Sequence, residues 1–254
     1  MSTAGTAVAF GIDIGGSGIK GAPVDLATGE LIADRLRIPT PQPSTPQAVA
    51  ATVAELVDSF DLADDVPVGL TVPAPVKHGV VPFIANLDQS WTGVDVPSLM
   101  SEATRRPVSA VNDADAAGVA EAAFGAAKGT PGVVIVTTLG TGIGSGFLLD
   151  GKLVPNTELG HLEIDGYDAE DRAASSVKEA EGLSWRKWAK RLQRYYEFVE
   201  MLFSPDLFVV GGGVSKKHEK FLPLLELKTP IVPAGLRNTA GIVGAAHLAA
   251  IGHN

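Results

Sequence analysis

The sequence contains no cysteine, and this absence limits its covalent and its metal chemistry. Disulfide bonds and thiolate zinc sites are excluded, which is typical of proteins from a reducing cytosol. The first residues lack the basic segment of a signal peptide, and no apolar run reaches the ~20 residues that span a bilayer. We therefore expect a soluble, cytoplasmic protein without a membrane partner. The 254 residues have room for one large domain or two smaller ones.

Positive charge is scarce and unevenly distributed. The formal net charge is −9, which argues against a nucleic-acid partner. Nine of the 20 lysines and arginines nevertheless fall in one segment of the chain. They are Lys178, Arg186, Lys187, Lys190, Arg191, Arg194, Lys216, Lys217 and Lys220. This segment is either a polyanion site or the solvated face of a helix, and charge alone favours the helix face.

Strand and helix patterns alternate along the chain, which predicts an α/β fold. Apolar strand, glycine turn and second strand occur at residues 8–24 and again, about 125 residues later, at 133–149. This repetition predicts two related lobes that face a common cleft. We place the smaller lobe at residues 1–113 with a C-terminal helix at 240–254, and the larger lobe at 114–239.

Two predicted helices carry distinct sequence features. The first spans 48–60, with Thr45 as a plausible N-cap and Pro46 just inside its start. The longest spans 185–203 and repeats large apolar residues at helical spacing. They are Trp185, Trp188, Leu192, Tyr195, Val199 and Leu202 or Phe203. We interpret this aromatic stripe as core rather than as a ligand-binding surface.

The first glycine turn is the most informative segment. A buried-strand pattern at 8–14 contains Asp13 and continues into Gly15-Gly16-Ser17-Gly18 before Lys20. Glycines allow positive φ, so that backbone N–H groups can point at one anion, most often a phosphate. The carboxylate of Asp13 could hold a divalent cation beside that anion. The alternative is a glycine-rich hairpin with an edge aspartate.

Two more glycine turns, at 140–146 and 211–213, also follow apolar strands. Neither is a Walker P-loop, because the chain has no GxxxxGK[ST] motif. The turn at 140–146 leads into a strand rather than a helix, which makes it a poor dinucleotide fingerprint. Together the three turns suggest a ligand held by backbone N–H groups from several sides.

The ordered set of motifs resembles the sugar kinases of the ROK family, over about residues 8 to 250. The set consists of the turn Asp13–Lys20, Asn112-Asp113, the turn Leu139–Gly144, Glu158-Leu159-Gly160-His161 and Gly211-Gly212-Gly213-Val214. The family belongs to the actin-like, ribonuclease-H-like ATPase superfamily. The resemblance therefore implies two ribonuclease-H-like lobes around a central cleft.

The resemblance also implies roles for individual residues. Asp113 matches the catalytic base that takes a proton from a sugar hydroxyl, although by itself it could equally be a helix N-cap. The implied sugar ligands are Asn86, Asn112, Asp113, Glu158, His161 and Glu179. The implied donor-phosphate ligands are Asp13, Gly15, Gly16, Ser17, Gly18, Lys20, Thr138, Gly140, Thr141, Gly142, Gly212, Gly213, Lys216 and Lys217. Magnesium is expected beside Asp13, through water.

One departure from the family is large. ROK kinases usually carry zinc on the histidine of a Gly-His motif and on three cysteines downstream, and this chain has no cysteine. We therefore expect no zinc, and the fold of residues 165–181, which replace the zinc loop, stays open. A zinc-free chain of this length with Phe203-Ser204-Pro205-Asp206-Leu207 before Gly211 resembles the polyphosphate glucokinases.

The resemblance implies phosphoryl transfer from inorganic polyphosphate, and possibly ATP, to the 6-hydroxyl of glucose or mannose. The basic segment then becomes a candidate polyphosphate track, with Lys216, Lys217 and Lys220 as its best candidates. One alternative is a strictly ATP-dependent hexose or amino-sugar kinase. A remote one is a non-catalytic sugar-sensing protein, although only seven residues precede Val8, too few for a helix-turn-helix. The family also implies a homodimer.

Overall fold

The computed structural model describes residues 8–252 as two compact units. The first unit runs to Ala116 and resumes at Gly241, and the second is Ala117–Ala240. Each unit contains a five-stranded sheet with helices, so the predicted α/β class is confirmed. No helix within the described residues is long and apolar enough to cross a membrane.

The sheet of the first unit has the strand order β3-β2-β1-β4-β5. Its strands are β1 Val8–Gly15, β2 Gly18–Asp25, β3 Leu36–Ile38, β4 Val68–Val72 and β5 Val108–Asn112. β1 pairs antiparallel with β2 and parallel with β4, which in turn is parallel to β5. The interior strand β4 is buried along its whole length, as expected for a short, largely apolar run flanked on both sides. The sequence pattern predicts a strand at 31–38, but the observed strand is shorter. Residues 32–33 form a bend, and residues 32–35 are exposed.

Three helices follow the strands of this unit. They are α1 Pro46–Asp58, α2 Val96–Thr104 and α3 Asp113–Phe124, the last of which continues into the second unit. The Thr45 side chain accepts a hydrogen bond from the Ala48 N–H, so the predicted N-cap of α1 is confirmed. The apolar faces of α1 and α2 and the strands enclose one core, which includes Phe10, Leu70 and Trp91.

The sheet of the second unit has the order β12-β11-β6-β7-β8. Its strands are β6 Val133–Leu139, β7 Ile143–Leu149, β8 Lys152–Val154, β11 Leu207–Gly211 and β12 Ile231–Pro233. Alternate residues of β6 enter different cores: Ile135 packs on one face of the sheet, and Val134 and Val136 on the other. Both faces are therefore buried, which explains why β6 begins with four consecutive apolar residues.

Residues 163–180, where the family zinc loop would lie, form a small hairpin and two short helices. The elements are β9 Glu163–Ile164, β10 Tyr167–Asp168, α4 Glu170–Ala173 and α5 Ser175–Ala180. Asp165 and Gly166 form the turn with φ of 55° and 79°, the positive values of a tight type I′ hairpin. The Arg194 guanidinium makes two hydrogen bonds to the Asp165 carboxylate at 2.8 and 2.7 Å. A turn and an ion pair thus hold this segment in place.

Helix α6, Trp185–Phe203, supplies six buried residues to the core on one face of the second sheet. Trp188, Leu192, Tyr195 and Val199 are buried, which confirms the predicted core stripe in its centre. At its ends the stripe is only partly buried, and of the two alternatives at the C-terminal end it is Phe203 that packs against the core. Trp185 is only partly buried, and Leu202 is 47% exposed while Phe203 packs partly against the core.

The chain returns to the first unit through α7, Ala240–Ala250, which packs on β1 and β4 at glycines. A Cβ on Gly11 would lie 1.9 Å from the Ile242 carbonyl oxygen, and a Cβ on Gly69 2.0 Å from that of Ala245. Backbone therefore meets backbone at these points. Only residues without side chains allow this helix to approach the sheet so closely.

Candidate active site

The turn between β1 and β2 exposes Gly16 and Ser17. The positive φ expected of its glycines is wrong, since Gly16 and Gly18 both lie outside the left-handed region. Here glycine provides room instead. A Cβ on Gly18 would lie 2.6 Å from the Arg37 Nε, and a Cβ on Gly16 would lie 3.2 Å from the Asn86 carbonyl oxygen. The turn is thus lined by a guanidinium that the sequence did not indicate.

Arg37 is fixed beside this turn by a hydrogen bond from its Nη2 to the Ser17 carbonyl oxygen at 2.6 Å. It reaches the turn from β3, which pairs with β2 so that Arg37 lies opposite Lys20. Asn86, a predicted sugar ligand, lies in the loop before α2 with an exposed side chain. Only its backbone is seen to approach the turn.

Asp13 is the centre of a polar group on neighbouring strands. The ladder places it opposite Lys20 on β2 and Thr71 on β4. Lys20 Nζ lies 3.1 Å from Asp13 Oδ2, and the Thr71 hydroxyl donates to Asp13 Oδ1 at 3.1 Å. The charge of Lys20, a predicted phosphate ligand, is therefore paired with Asp13. Asp13 belongs to no cluster of three metal-ligating groups in the described part of the chain, so it could hold magnesium only with help from waters or phosphates.

Asn112 and Asp113 connect the end of β5 to the start of α3. The Asn112 side-chain oxygen accepts hydrogen bonds from the N–H groups of Ala114 at 2.8 Å and Asp115 at 3.1 Å. Asn112 is therefore the N-cap, and the alternative reading of Asp113 as the cap is wrong. Asp113 is half-buried and also accepts from the Ala114 N–H, at 2.9 Å. The positive end of the α3 dipole favours its charged carboxylate.

In the second unit, the turn at Gly140–Gly142 is braced by two other segments. Ser176 on α5 donates from its backbone N–H to the Gly140 carbonyl at 3.1 Å and from its hydroxyl to the Thr141 carbonyl at 2.6 Å. The Glu170 carboxylate accepts from the N–H of Ile143 at 3.0 Å. The Gly140 N–H bonds to the Gly142 carbonyl at 3.0 Å, so this donor is used inside the turn.

The turn at Gly211–Gly213 lies beside the Gly140–Gly142 turn of the same unit. Gly211 ends β11 opposite Thr138 of β6. Gly212 has φ 80°, and a Cβ there would lie 2.3 Å from the Leu139 carbonyl oxygen. Both backbone conformation and close approach therefore require glycine. Gly213 is exposed and begins a 3-10 helix, Gly213–Lys220, on which Lys216 and Lys217 are exposed.

Glu158 precedes the short 3-10 turn Leu159–His161, and His161 is its last residue. The carboxylates of Asp168 and Glu170, which follow β9 in the chain, lie near them. His161 Nδ1 lies 2.9 Å from Asp168 Oδ2 and 4.0 Å from Glu170 Oε1. The hydrogen bond to Asp168 raises the pKa of His161, and the nearby negative charges add to the rise. Burial raises the pKa of Glu158, against the attraction of His161.

Carboxylates occupy the surroundings of His161 where the family would place thiolates. Among the residues that the structure describes, His161, Asp168 and Glu170 are the one group whose ligand atoms lie within 4.8 Å of one another and could hold a cation. Glu179, the predicted sugar ligand, is exposed on α5, whereas Glu170 supplies the carboxylate beside His161. A Cβ on Gly142 would meet Glu170 Oε2 at 2.2 Å, so that glycine makes room for it. Nothing in the sequence indicated Asp168 or Glu170 beyond their position after the Gly-His pair.

Comparison with known proteins supplies the family. A model described as the ROK family matches residues 9–175. The polyphosphate glucokinase of Mycobacterium tuberculosis (strain ATCC 25618 / H37Rv) is 54% identical over 238 residues, which cover 93% of this chain and 89% of the relative.

Two solved structures are similar over nearly the whole chain. The crystal structure of an inorganic polyphosphate/ATP-glucomannokinase from Arthrobacter sp. strain KM has a TM-score of 0.93 at 56% identity, covering 97% of this chain and 100% of that one. A ROK family glucokinase from Streptomyces griseus, in complex with glucose and AMPPNP, has a TM-score of 0.77 at 25% identity, covering 96% and 99%.

Proposed function

The chain belongs to the ROK family, and on that premise we propose that it transfers a terminal phosphoryl group from inorganic polyphosphate or ATP to the 6-hydroxyl of glucose. The single observation that carries the proposal is identity above one half, along nearly the whole chain, to proteins named polyphosphate glucokinase and polyphosphate/ATP-glucomannokinase. The second name supports mannose as a further acceptor.

Asp113 is the proposed general base. Its place at the first residue of α3, directly after β5, fixes its backbone, while the Asn112 cap holds the helix start in position. A carboxylate within hydrogen-bond reach of the 6-hydroxyl can accept its proton as the oxygen attacks phosphorus. Asn112 has its oxygen committed to the cap, so its NH2 group is the part that can donate to a sugar hydroxyl.

Glu158, His161 and Glu170 are the proposed ligands for the other sugar hydroxyls, with Glu170 in place of Glu179. Carboxylate and imidazole groups can each bond adjacent hydroxyls and so reject analogues that lack them. Because Asp168 accepts from His161 Nδ1, Nε2 is the ring nitrogen left to bond sugar. Asp168 is thus a positioning residue.

The donor phosphates are proposed to lie against three features: the Gly15–Gly18 turn, the Gly140–Gly142 turn with Thr138 and Thr141, and the Gly212-Gly213 start of the 3-10 helix. Exposed N–H groups and the Arg37 guanidinium can neutralise the charge that develops on the transferred group, and the lysines that follow Gly213 can attract the rest of the donor's negative charge. Magnesium, when bound with the donor, supplies further neutralisation, and Asp13 could hold one of its waters.

We also propose a cytoplasmic homodimer. The absence of cysteine suits a reducing compartment. Met201 and Leu202, at the end of α6, are 65% and 47% exposed and offer apolar surface for a second copy. Analytical ultracentrifugation measures the state directly, and a monomer at micromolar concentration would contradict this part of the proposal.

A coupled assay for glucose 6-phosphate with each donor in turn tests the activity. We expect turnover with polyphosphate, and a steep rise of the polyphosphate KM between 50 and 200 mM NaCl, since a polyanion is held through counterion release. The KM for ATP should rise less. Glucose turnover with ATP and none with polyphosphate would instead identify an ATP-dependent glucokinase, the activity named for the Streptomyces griseus relative.

A further inference from the structure

Three lysine ammonium groups surround one tryptophan ring in the second unit. The Nζ atoms of Lys178, Lys217 and Lys220 lie 4.1, 6.0 and 5.8 Å from the centroid of Trp185. Lys178 comes from α5, and the other two come from the 3-10 helix Gly213–Lys220. Two elements far apart in sequence therefore bring positive charge to one ring. We call these four residues the Trp185 cluster.

The charge of the Trp185 cluster is not balanced by carboxylates. Within the described residues, none of its three lysines takes part in a salt bridge, although other basic groups of this unit do, such as Arg191 with Glu181 at 2.6 Å. Each ammonium lies within 6.0 Å of the same centroid, so no two are more than about 12 Å (twice 6.0 Å) apart. Like charges closer than the Debye length of about 8 Å still repel at physiological ionic strength, and all three ammonium groups lie closer than this to the shared ring. A bound polyanion would relieve this repulsion.

The ring is held in a defined position. Trp185 stacks on the buried Phe221 with centroids 6.1 Å apart and planes 12° from parallel, and the edge of buried Trp188 packs near it at 5.9 Å. Cation–π attraction can then hold the lysine side chains over the ring at little entropic cost to a ligand. This explains why Trp185 departs from the core stripe of α6: its ring carries the cluster.

Both glycine turns of this unit, Gly140–Gly142 and Gly211–Gly213, are directly connected to the elements that carry the cluster. Ser176 bonds to the carbonyls of Gly140 and Thr141, and Lys178 follows two residues later on the same helix. The Gly211–Gly213 turn continues directly into the 3-10 helix that carries the other two lysines. The backbone of this segment bends at Lys217, and Lys217 and Lys220 both lie within 6.0 Å of the Trp185 ring centroid. A linear ligand whose end lies at the turns could therefore extend to the cluster.

We propose that the Trp185 cluster binds the internal phosphates of an inorganic polyphosphate chain. The terminal phosphate of that chain lies at the Gly140–Gly142 and Gly211–Gly213 turns. The inference rests on the proposed function and deepens it by adding Lys178 and Trp185 to the donor site. A donor with few phosphates gains little from the cluster, whereas a long chain gains the attraction of all three ammonium groups.

Equilibrium binding of long-chain polyphosphate at 50–200 mM NaCl tests the proposal with the triple variant Lys178→Gln/Lys217→Gln/Lys220→Gln. The matched control is Lys152→Gln on β8, at the opposite edge of the sheet from the strands that lead to the cluster. For a single-stranded polyanion, each removed contact lowers the slope of log affinity against log salt by about 0.7. The triple variant should therefore lose about 20-fold less affinity than the control over this fourfold rise in salt.

Trp185→Phe supplies an independent spectroscopic readout. Polyphosphate should change the tryptophan fluorescence of the wild type, and this change should be absent in Trp185→Phe, since the other two tryptophans, Trp91 and Trp188, are fully buried. Circular dichroism and thermal unfolding identify any variant that fails to fold, in which case the single variant Lys178→Gln replaces the triple one.

The proposal is overturned if the folded lysine variant binds polyphosphate with the affinity and salt slope of Lys152→Gln. Preference for single-stranded RNA of matched charge would overturn the assignment of the ligand. Turnover is scored separately. If the wild type binds polyphosphate through the cluster but cannot phosphorylate glucose with it, the proposed donor is wrong while the binding site stands.

Discussion

Glu121 on α3 offers a sharp test of how the second unit is held together. Its side chain is fully buried and accepts three backbone hydrogen bonds. Oε2 accepts from Ala126 at 2.7 Å and Gly235 at 3.0 Å, and Oε1 accepts from Leu236 at 2.8 Å. One carboxylate thus ties the end of α3 to a loop more than a hundred residues later.

The cost of removing this carboxylate follows from the donors it leaves behind. A buried backbone N–H without a partner costs about 1–3 kcal/mol, and Glu121→Ala leaves three, some of which water can reach. We expect the free energy of unfolding to fall by about 3–5 kcal/mol. In Glu121→Gln, the remaining oxygen can keep two donors while the amide group faces the third, so the loss should be about 1–3 kcal/mol.

Urea unfolding, followed by both tryptophan fluorescence and circular dichroism, measures these differences and shows whether the transition is two-state. The control is Asp206→Ala. Asp206 also accepts from a backbone N–H, that of Val133 at 2.8 Å, but it is exposed. Its loss should cost less than about 1 kcal/mol because water replaces it. The reasoning is refuted if Glu121→Ala is no more destabilising than Asp206→Ala.

Three further outcomes are expected. Asp113→Asn should reduce the rate of glucose phosphorylation by at least about a hundredfold, which is the usual contribution of a general base. Calorimetry should still detect glucose binding to this variant. Full turnover would remove Asp113 from the mechanism. Asp168→Asn should lower the pKa of His161, measured by NMR titration, because it removes the largest cause of the rise; an unchanged pKa would contradict the hydrogen bond. In the wild type, the stability gained from this raised pKa is complete below about pH 6.5 and is lost as pH rises through the folded-state pKa, which unfolding measured against pH should show. Gly69→Ala should lower the free energy of unfolding by about 1–3 kcal/mol in thermal unfolding, since its Cβ would lie 2.0 Å from a carbonyl oxygen of α7. The control is Gly140→Ala, where the added methyl has open space around it. Equal effects of the two substitutions would exclude the close contact.

Much of the fold follows from local pattern. The strands β1, β4, β6 and β11 and the long helix α6 lie where apolar runs and helical spacing predict them. The N-cap at Thr45 was equally predictable, because capping needs only neighbouring residues. The exceptions are the edges. β3 is shorter than predicted since an exposed edge strand is not held by burial, and Leu202 lies outside the core because the helix turns it to solvent.

The sequence by itself determined the family motifs, their order and the chemistry that Asp113 could perform, because these depend on residue type and spacing along the chain. Only the tertiary structure brought Arg37 to the first glycine turn and Asp168 and Glu170 to His161. It also gathered the lysines around Trp185. Such contacts join segments whose separation along the chain carries no periodic pattern. They are fixed by strand register and by the packing of whole elements, which no local arrangement of side chains encodes.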